Sequence, residues 1–269
     1  MYKIKHFALI ILAIGRLYSQ NVSEAIQKNA VECKDPAAVN QNLYNLLKNY
    51  RFICLGEMHG TKEPAEFLTG LAKTFASNNK QVIIGFEIQD SLMASFYQQH
   101  DSSGLSKTAF FSGKTVDGRG SEAWFRAINT CNKLGVRFCF FDNTKANRDF
   151  VMYENILKCS RADTNAVFIT LSGNIHNKIV PHNGSKTMGC YLKERFGKKV
   201  CSINYMNNGG TMFSKTADGL KIHQVAPGNS IFSTVTAYEN YYLPNIFNIE
   251  DYNGFFYTKT MTASLPFAP

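Results

Sequence analysis

The sequence lacks several features that mark common protein classes. It has no internal repeat and no low-complexity block, so a solenoid or fibrous architecture is not expected. The longest run of basic residues is Lys198-Lys199, and no recognisable nucleic-acid motif accompanies it, which favours a solvated basic surface over a nucleic-acid groove. After residue 20, no segment is long and apolar enough to span a bilayer.

The sequence also has no Cys-x-x-Cys pair, so a thiolate zinc knuckle is not expected. Of the seven cysteines, Cys54, Cys139 and Cys201 lie inside apolar runs, where a free thiol behaves as a small buried hydrophobe. Export would permit disulfides among the others. The cysteines that could pair, in a pattern that the sequence leaves open, are Cys33, Cys131, Cys159 and Cys190.

The composition that is present is typical of a globular protein. Of 269 residues, 45% are hydrophobic and 18% are charged, and 29 basic residues against 20 acidic ones give a net charge of +9. Residues 1–19 differ, because a basic start precedes the apolar run 7–15 and the small residue Ser19. This order predicts a cleaved secretory signal, with an uncleaved anchor as the alternative, and leaves 20–269 as a single α/β domain.

Five nearly continuous apolar runs predict strands that are covered on both faces, as in a parallel sheet. They lie at 51–56, 81–88, 136–142, 166–173 and 199–204. Segments with helical spacing alternate with them at 63–78, 121–135, 147–160 and 188–197. This alternation predicts a mostly parallel central sheet with helices on both faces.

Two regions do not follow this pattern. Residues 101–120 are rich in Gly and Ser and are predicted to form a lid or loop. The segments 232–243 and 254–262 suggest late strands, which we expect to be antiparallel at the edge of the sheet.

Polar side chains follow four of the predicted strands where each strand ends. Glu57 and His59 follow the first, Glu87 ends the second, Asp142 ends the third and His176 follows the fourth. Because the carboxyl ends of parallel strands meet at one edge, these groups should share a cleft. Individually they have simpler interpretations, since Glu57 could interact with a helix dipole, Asp142 could cap a helix, and a lone histidine is more often structural.

Four segments in this order resemble a known superfamily: LGEMHGTKE, GFE, NRDFVMYENI and a second Gly-x-x-His, GNIH. They are similar to the haem-binding uptake/Tiki superfamily, which includes ChaN-like, Tiki and erythromycin-esterase-like proteins. The match covers about half of the chain, residues 50–180. The segment that contains Arg148, Asp149, Met152 and Asn155 resembles the esterase branch most.

The sequence departs from that branch in two ways. The branch commonly has a His-Asn-x-His cluster, of which only Asn174 and His176 are present. The chain is also short for a macrolide esterase, which argues against a large substrate-binding insertion and against macrolide hydrolysis.

The resemblance implies a secreted or periplasmic hydrolase of an ester or peptide bond in a small-molecule or peptide substrate. His59 would be the general base, because a histidine titrates near neutral pH, and Glu57 and Glu87 would orient the base or its water. His176 would act as an acid from the fourth strand. The residues predicted to bind substrate are Arg148, Asp149 and Asn174, with Arg148 holding an anionic substrate group or stabilising developing negative charge.

Three alternatives stay open from the sequence. His59 and His176 could instead hold a divalent metal such as zinc or manganese. The same cleft could belong to a haem- or iron-binding uptake protein, with Tyr153 or Tyr205 as an axial ligand. The chain could also be an inactive member of the fold that mediates contacts.

Overall fold

The computed structural model describes residues 21–113, 117–228, 230–235 and 237–268. The predicted signal, residues 1–19, lies outside these ranges and stays a prediction. Within them, no helix combines the length and the apolar character that crossing a membrane would require.

Eight strands form one sheet and two strands form a separate hairpin. The order in the large sheet is β1-β9-β10-β6-β2-β5-β3-β4. The strands are β1 (Val31–Glu32), β2 (Phe52–Glu57), β3 (Val82–Gln89), β4 (Arg137–Asp142), β5 (Val167–Gly173), β6 (Val200–Asn207), β7 (Gly210–Thr216), β8 (Gly219–Val225), β9 (Asn240–Pro244) and β10 (Gly254–Thr258).

The predicted parallel sheet is confirmed. The five apolar runs form β6, β2, β5, β3 and β4, and all their pairings are parallel. The late strands were predicted to be antiparallel, and this holds for β9, which pairs antiparallel with β10. In contrast, β10 pairs in parallel with β6 and extends the parallel sheet by one strand. The carboxyl ends of β2, β3, β4 and β5 therefore share one edge.

The helices are α1 (21–29), α2 (Gln41–Leu47), α3 (Glu63–Ser77), α4 (Ala94–Gln99), α5 (Ser102–Ser106), α6 (Ala109–Ser112), α7 (Glu122–Lys133), α8 (Arg148–Arg161) and α9 (Met188–Phe196). The four predicted helical segments form α3, α7, α8 and α9, and the other helices were not predicted. Residues 101–120 are not simply a loop as predicted, because Asp101 and Thr108 cap the short helices α5 and α6 with their side chains. Short 3₁₀-helices span Asp90–Met93, Asn174–Asn177, Gly197–Lys199 and Ile231–Thr234.

Helices cover both faces of the sheet, and the alternation of each strand divides its side chains between two cores. In β2, Ile53 and Leu55 pack in a core with residues of α2, α3 and α7. Phe52 and Cys54 point the other way, into a core with residues of α8 and α9. Because successive side chains of a strand face opposite sides, this division also decides which helix meets each residue at the strand end.

The C-terminal segment 262–267 joins two loops at the carboxyl edge of the sheet. The Ser264 N–H donates to the Gly60 carbonyl at 2.8 Å, and the Lys62 N–H donates to the Thr262 carbonyl at 3.0 Å. Farther along the segment, Leu265 accepts from the Glu122 N–H at 2.8 Å. The segment therefore fixes the loop after β2 against the start of α7.

One cysteine prediction was wrong. Cys139 is not a free thiol but forms a disulfide with Cys159, with Cα atoms 6.0 Å apart. Because side chains alternate along β4, Cys139 lies on the face covered by α8, and the last turn of α8 carries Cys159. The prediction failed because an apolar run in the sequence cannot distinguish a buried thiol from a buried disulfide. The other five cysteines, all within the described ranges, are buried and unpaired.

Candidate active site

The first candidate group is an acid and a histidine on the turn after β2. Glu57 is buried, and its Oε1 lies 2.6 Å from His59 Nδ1. The turn needs glycine at Gly60, where φ is +84° and a Cβ would lie 1.9 Å from the Phe213 carbonyl oxygen. The His59 side chain is 25% exposed, and its Nδ1 is fixed by Glu57.

Trp124 holds the other oxygen of Glu57. Its indole Nε1–H donates to Glu57 Oε2 at 3.1 Å, and the indole is almost completely buried. Glu57 continues the face of β2 that carries Ile53 and Leu55, which is the face covered by α7. Sequence reasoning missed Trp124, which lies in the predicted helical segment 121–135.

Glu87 lies at the centre of the site and is 1% exposed. Its Oε2 accepts from the Gly173 N–H at 2.7 Å. The Nε2 atoms of both histidines face this carboxylate, at 3.9 Å for His59 and 3.8 Å for His176. Glu87 therefore marks the point toward which the two Gly-x-x-His turns converge.

The second histidine pairs with an acid from another element. His176 Nδ1 lies 2.8 Å from Oδ1 of Asp149, which is in the first turn of α8. The same oxygen accepts from the Met188 N–H at 2.8 Å, so the start of α9 orients the acid. Both histidines thus place Nδ1 on a carboxylate and Nε2 toward the cleft.

Two arginines surround Glu87. Arg148 donates to Glu87 Oε1 at 2.6 Å and to Asp142 Oδ1 at 2.7 Å. Arg119 donates to the same Glu87 oxygen and to Asp142 Oδ2, at 3.0 Å each. Asp142, considered as a helix cap from sequence, instead bridges the two guanidinium groups.

Arg119 was not predicted, because it lies in the segment interpreted as a lid. Its loop packs against the His59 turn through Gly118, where φ is +84° and a Cβ would lie 2.7 Å from the Gly60 Cα. Asp117 accepts from Arg119 Nε at 2.8 Å. A lone arginine between glycines, in the segment DGRG, was the signal available in the sequence.

Asn174 does not join this network. The Asn174 carbonyl accepts a hydrogen bond from the Tyr252 hydroxyl at 3.0 Å. Its backbone packs closely on Gly56, since a Cβ added to Gly56 would lie 2.9 Å from the Asn174 Cα. The structure thus gives Asn174 a packing position beside Gly56, and its predicted role in substrate binding stays a prediction.

The environment of His59 favours its protonated form. Burial lowers the pKa of His59, but the hydrogen bond to Glu57 and the charges of Glu57 and Glu87 outweigh it, so its pKa is raised overall. For Asp142, burial raises the pKa, and the hydrogen bond and charge of Arg148 outweigh it and lower the pKa overall. Asp142 is therefore ionised at neutral pH.

The potential metal ligands in the cleft do not suit a divalent metal. Both Glu87 oxygens accept hydrogen bonds from cationic or backbone donors, and two guanidinium groups occupy the space beside Oε1. Among the described residues, no cluster of three or more His, Cys, Asp or Glu side chains could hold a metal ion. The reaction proposed below therefore has no metal-dependent step.

The tyrosines considered for haem lie away from the histidines. Tyr205 is buried, and its hydroxyl donates to Glu63 at 3.3 Å. Tyr153 stacks with Tyr191, with ring centroids 5.5 Å apart, in the core beneath α8. Neither contacts the cleft, and the haem alternative stays a prediction without structural support.

Comparisons with known proteins agree with the fold. No protein-family model matches the sequence, and no curated protein sequence matches it significantly. A Bacillus cereus protein of known structure has a TM-score of 0.74 at 10% identity, over 93% of this chain and 99% of that chain. A succinoglycan biosynthesis protein has a TM-score of 0.65 at 11% identity, over 93% and 99% of the two chains.

An erythromycin esterase shares the fold as well. A mutant of EreC in its open conformation has a TM-score of 0.54 at 11% identity, over 85% of this chain and 96% of that chain. The predicted resemblance to erythromycin-esterase-like proteins is therefore confirmed at the level of the fold. At these identities the likeness says nothing about substrate.

Proposed function

We propose that the protein is a hydrolase that cleaves an ester or peptide bond with water activated by His59. The observation that carries this proposal is the pairing of His59 Nδ1 with the buried Glu57 at 2.6 Å, while Nε2 faces the cleft, 3.9 Å from Glu87 Oε2. A histidine held in this way is a general base. The fold shared with an erythromycin esterase supports the reaction class.

His59 would remove a proton from water as the water oxygen forms a bond to the substrate carbonyl carbon. The proton goes to Nε2, and Glu57 stabilises the imidazolium through Nδ1–H. When the tetrahedral intermediate collapses, the bond to the leaving oxygen or nitrogen breaks, and that atom takes a proton. His176, which pairs with Asp149 and has its Nε2 3.8 Å from Glu87, would provide it in its protonated form.

Arg148 would stabilise the oxyanion. Its Nε and Nη2 are held by Asp142 and Glu87, while Nη1 faces His176 Nε2 at 3.4 Å. Its side chain is 34% exposed, so Nη1 can reach a carbonyl oxygen that gains negative charge. Preorganised donors of this kind are typically worth about 3–4 kcal/mol of the barrier.

Export is part of the same proposal. The pattern of residues 1–19 motivates it, and the disulfide between Cys139 and Cys159 supports it, since disulfides persist in oxidising compartments. Mass spectrometry of the native protein tests it: we expect residues 1–19 to be missing, and an intact Met1 would contradict export through a cleaved signal.

A hydrolysis screen tests the function. The purified protein is assayed against a panel of carboxylic esters and peptide amides, with His59→Asn as the inactive control and with metal and haem content measured on the same sample. We expect turnover of at least one class by the wild type alone. No turnover above buffer, or equal turnover by His59→Asn, would overturn the proposal.

A further inference from the structure

We propose that the cleft selects substrates that carry a positively charged group, such as an ammonium or amine, and disfavours anionic ones. This inference rests on the proposed function and names its substrate class. It departs from the sequence interpretation, in which Arg148 was a candidate for holding an anionic substrate group.

The first observation is the charge of the cleft. Its ion-pair network contains five carboxylates and two guanidinium groups, so the cleft is negative even when both histidines are protonated. The carboxylates are Glu57, Glu87, Asp117, Asp142 and Asp149. Hydrogen bonds and ion pairs to Arg119 outweigh burial and lower the pKa of Asp117, which is therefore ionised as well.

The second observation is that the arginines are already neutralised. Arg119 directs Nε and Nη2 to Asp117 and Nη1 to Glu87 and Asp142. Arg148 directs Nε to Asp142 and Nη2 to Glu87. An anionic substrate group would find only Arg148 Nη1, the nitrogen proposed to stabilise the oxyanion, unless it displaced one of these carboxylates.

The third observation is a carboxylate oxygen that has no partner. Within the described part of the chain, the hydrogen bonds of Asp149 go to Oδ1, from His176 and from the Met188 N–H. Its Oδ2 accepts none of them, and the side chain is 26% exposed. Asp149 Oδ2 is therefore a ready ionic partner for an ammonium group, with or without N–H, beside the second histidine.

The negative cleft contrasts with the rest of the molecule, since the whole chain carries +9. The nearby Lys178 does not offset it, because its ammonium pairs with Asp251 at 2.8 Å. A cleft of one sign with low-dielectric walls concentrates ligands of the opposite sign, and this effect weakens as salt rises.

Three matched esters test the inference: acetylcholine, the neutral analogue with tert-butyl in place of trimethylammonium, and the analogue with a carboxylate there. For each, kcat/KM and Kd are measured at low and high salt. We expect the cationic ester to be favoured over the neutral one by about two- to fivefold, the range of one partly exposed ion pair, and the anionic ester to be worst. High salt should reduce the preference.

Two charge-removing variants sharpen the test. Asp117→Asn should reduce the ratio of cationic to neutral kcat/KM, because it removes one negative charge from the cleft. Asp218→Asn, which removes the same charge at the tip of the β7–β8 hairpin, should leave that ratio unchanged. An equal effect of both variants would assign the preference to overall charge and overturn the inference.

The outcomes separate this inference from the proposed function. Hydrolysis with equal or anionic preference overturns the substrate class and leaves the hydrolase standing. If none of the three is hydrolysed, the order of their Kd values decides the inference alone, and the broad screen decides the function. Failure of all three to bind counts against the inference.

Discussion

The two Gly-x-x-His turns have the same sequence pattern but different surroundings. In the first, His59 pairs with Glu57, two residues away, and that acid is buried and held by Trp124. In the second, His176 pairs with Asp149 from α8, and that acid is 26% exposed and has a free oxygen. A shared motif therefore does not imply a shared role.

The difference suggests that the acid of the first turn positions its histidine, whereas the acid of the second turn can also contact a ligand. A buried acid with both oxygens occupied can only orient and stabilise His59, which fits the proton transfer proposed for the first turn. A half-exposed acid with one free oxygen can orient His176 and also contact a ligand. The first turn thus has the stricter geometry, and changes there should have larger effects on turnover.

Replacing each histidine by asparagine tests this ranking most strongly. We expect His59→Asn to lower kcat by about two to four orders of magnitude, the usual range for a lost general base. His176→Asn should cost less, about a hundredfold, at the low end of the same range, because a leaving group can also take its proton from water. Turnover per folded molecule and melting temperature are measured on both.

His100→Asn is the matched control, because His100 is exposed, lies outside the cleft and has a left-handed φ of 51°, which asparagine tolerates. It should match the wild type. A large loss of stability in His59→Asn with activity per folded molecule intact would make His59 a structural residue and reverse the comparison.

Trp124→Phe tests the hydrogen bond that holds the acid of the first turn. It keeps an aromatic ring in the core but removes the hydrogen bond to Glu57 Oε2, so we expect kcat to fall about tenfold, the size of one charge-assisted hydrogen bond. Phe125→Leu on the same helix removes an aromatic ring without touching Glu57 and is the control. An unchanged kcat in Trp124→Phe would show that Glu57 does not need the indole.

Ser264→Ala tests the segment that fixes the loops of the first turn. Its Oγ accepts from the Ala123 N–H at 3.0 Å at the start of α7, and the residue is buried. Losing that acceptor should lower the free energy of unfolding by about 1–2 kcal/mol. Denaturant unfolding measures it, with Ser77→Ala at an exposed position as control. A large loss of kcat at intact stability would instead make Ser264 part of the site.

Much of the fold and part of the site could be predicted from the sequence. Apolar runs located the five parallel strands because both faces of each strand are buried. The strand ends then indicated Glu57, His59, Glu87 and His176, which the structure brings together around Glu87. The roles of these residues stay a prediction until they are assayed.

The parts that sequence reasoning missed depend on tertiary contacts. Arg119 reaches Glu87 only because Gly118 packs on Gly60, and Trp124 reaches Glu57 only because α7 covers one face of β2. The disulfide partner of Cys139 likewise depends on which face α8 covers. Periodicity locates elements, but it does not indicate which loop or helix face they meet.

The pH dependence of kcat/KM in the wild type and in Glu57→Gln tests the central claim most directly. The raised pKa of His59 places the acid limb above the ordinary histidine value of about 6.5, because only neutral His59 can take a proton. The same shift stabilises the fold below the unfolded-state pKa, and that contribution is lost as pH rises through the folded-state pKa.

Glu57→Gln removes the charge and the ionic hydrogen bond that raise the pKa, so its acid limb should move to lower pH while its maximum rate falls. A wild-type limb at or below the ordinary histidine value, or a limb that Glu57→Gln leaves in place, would contradict His59 as the base held by Glu57.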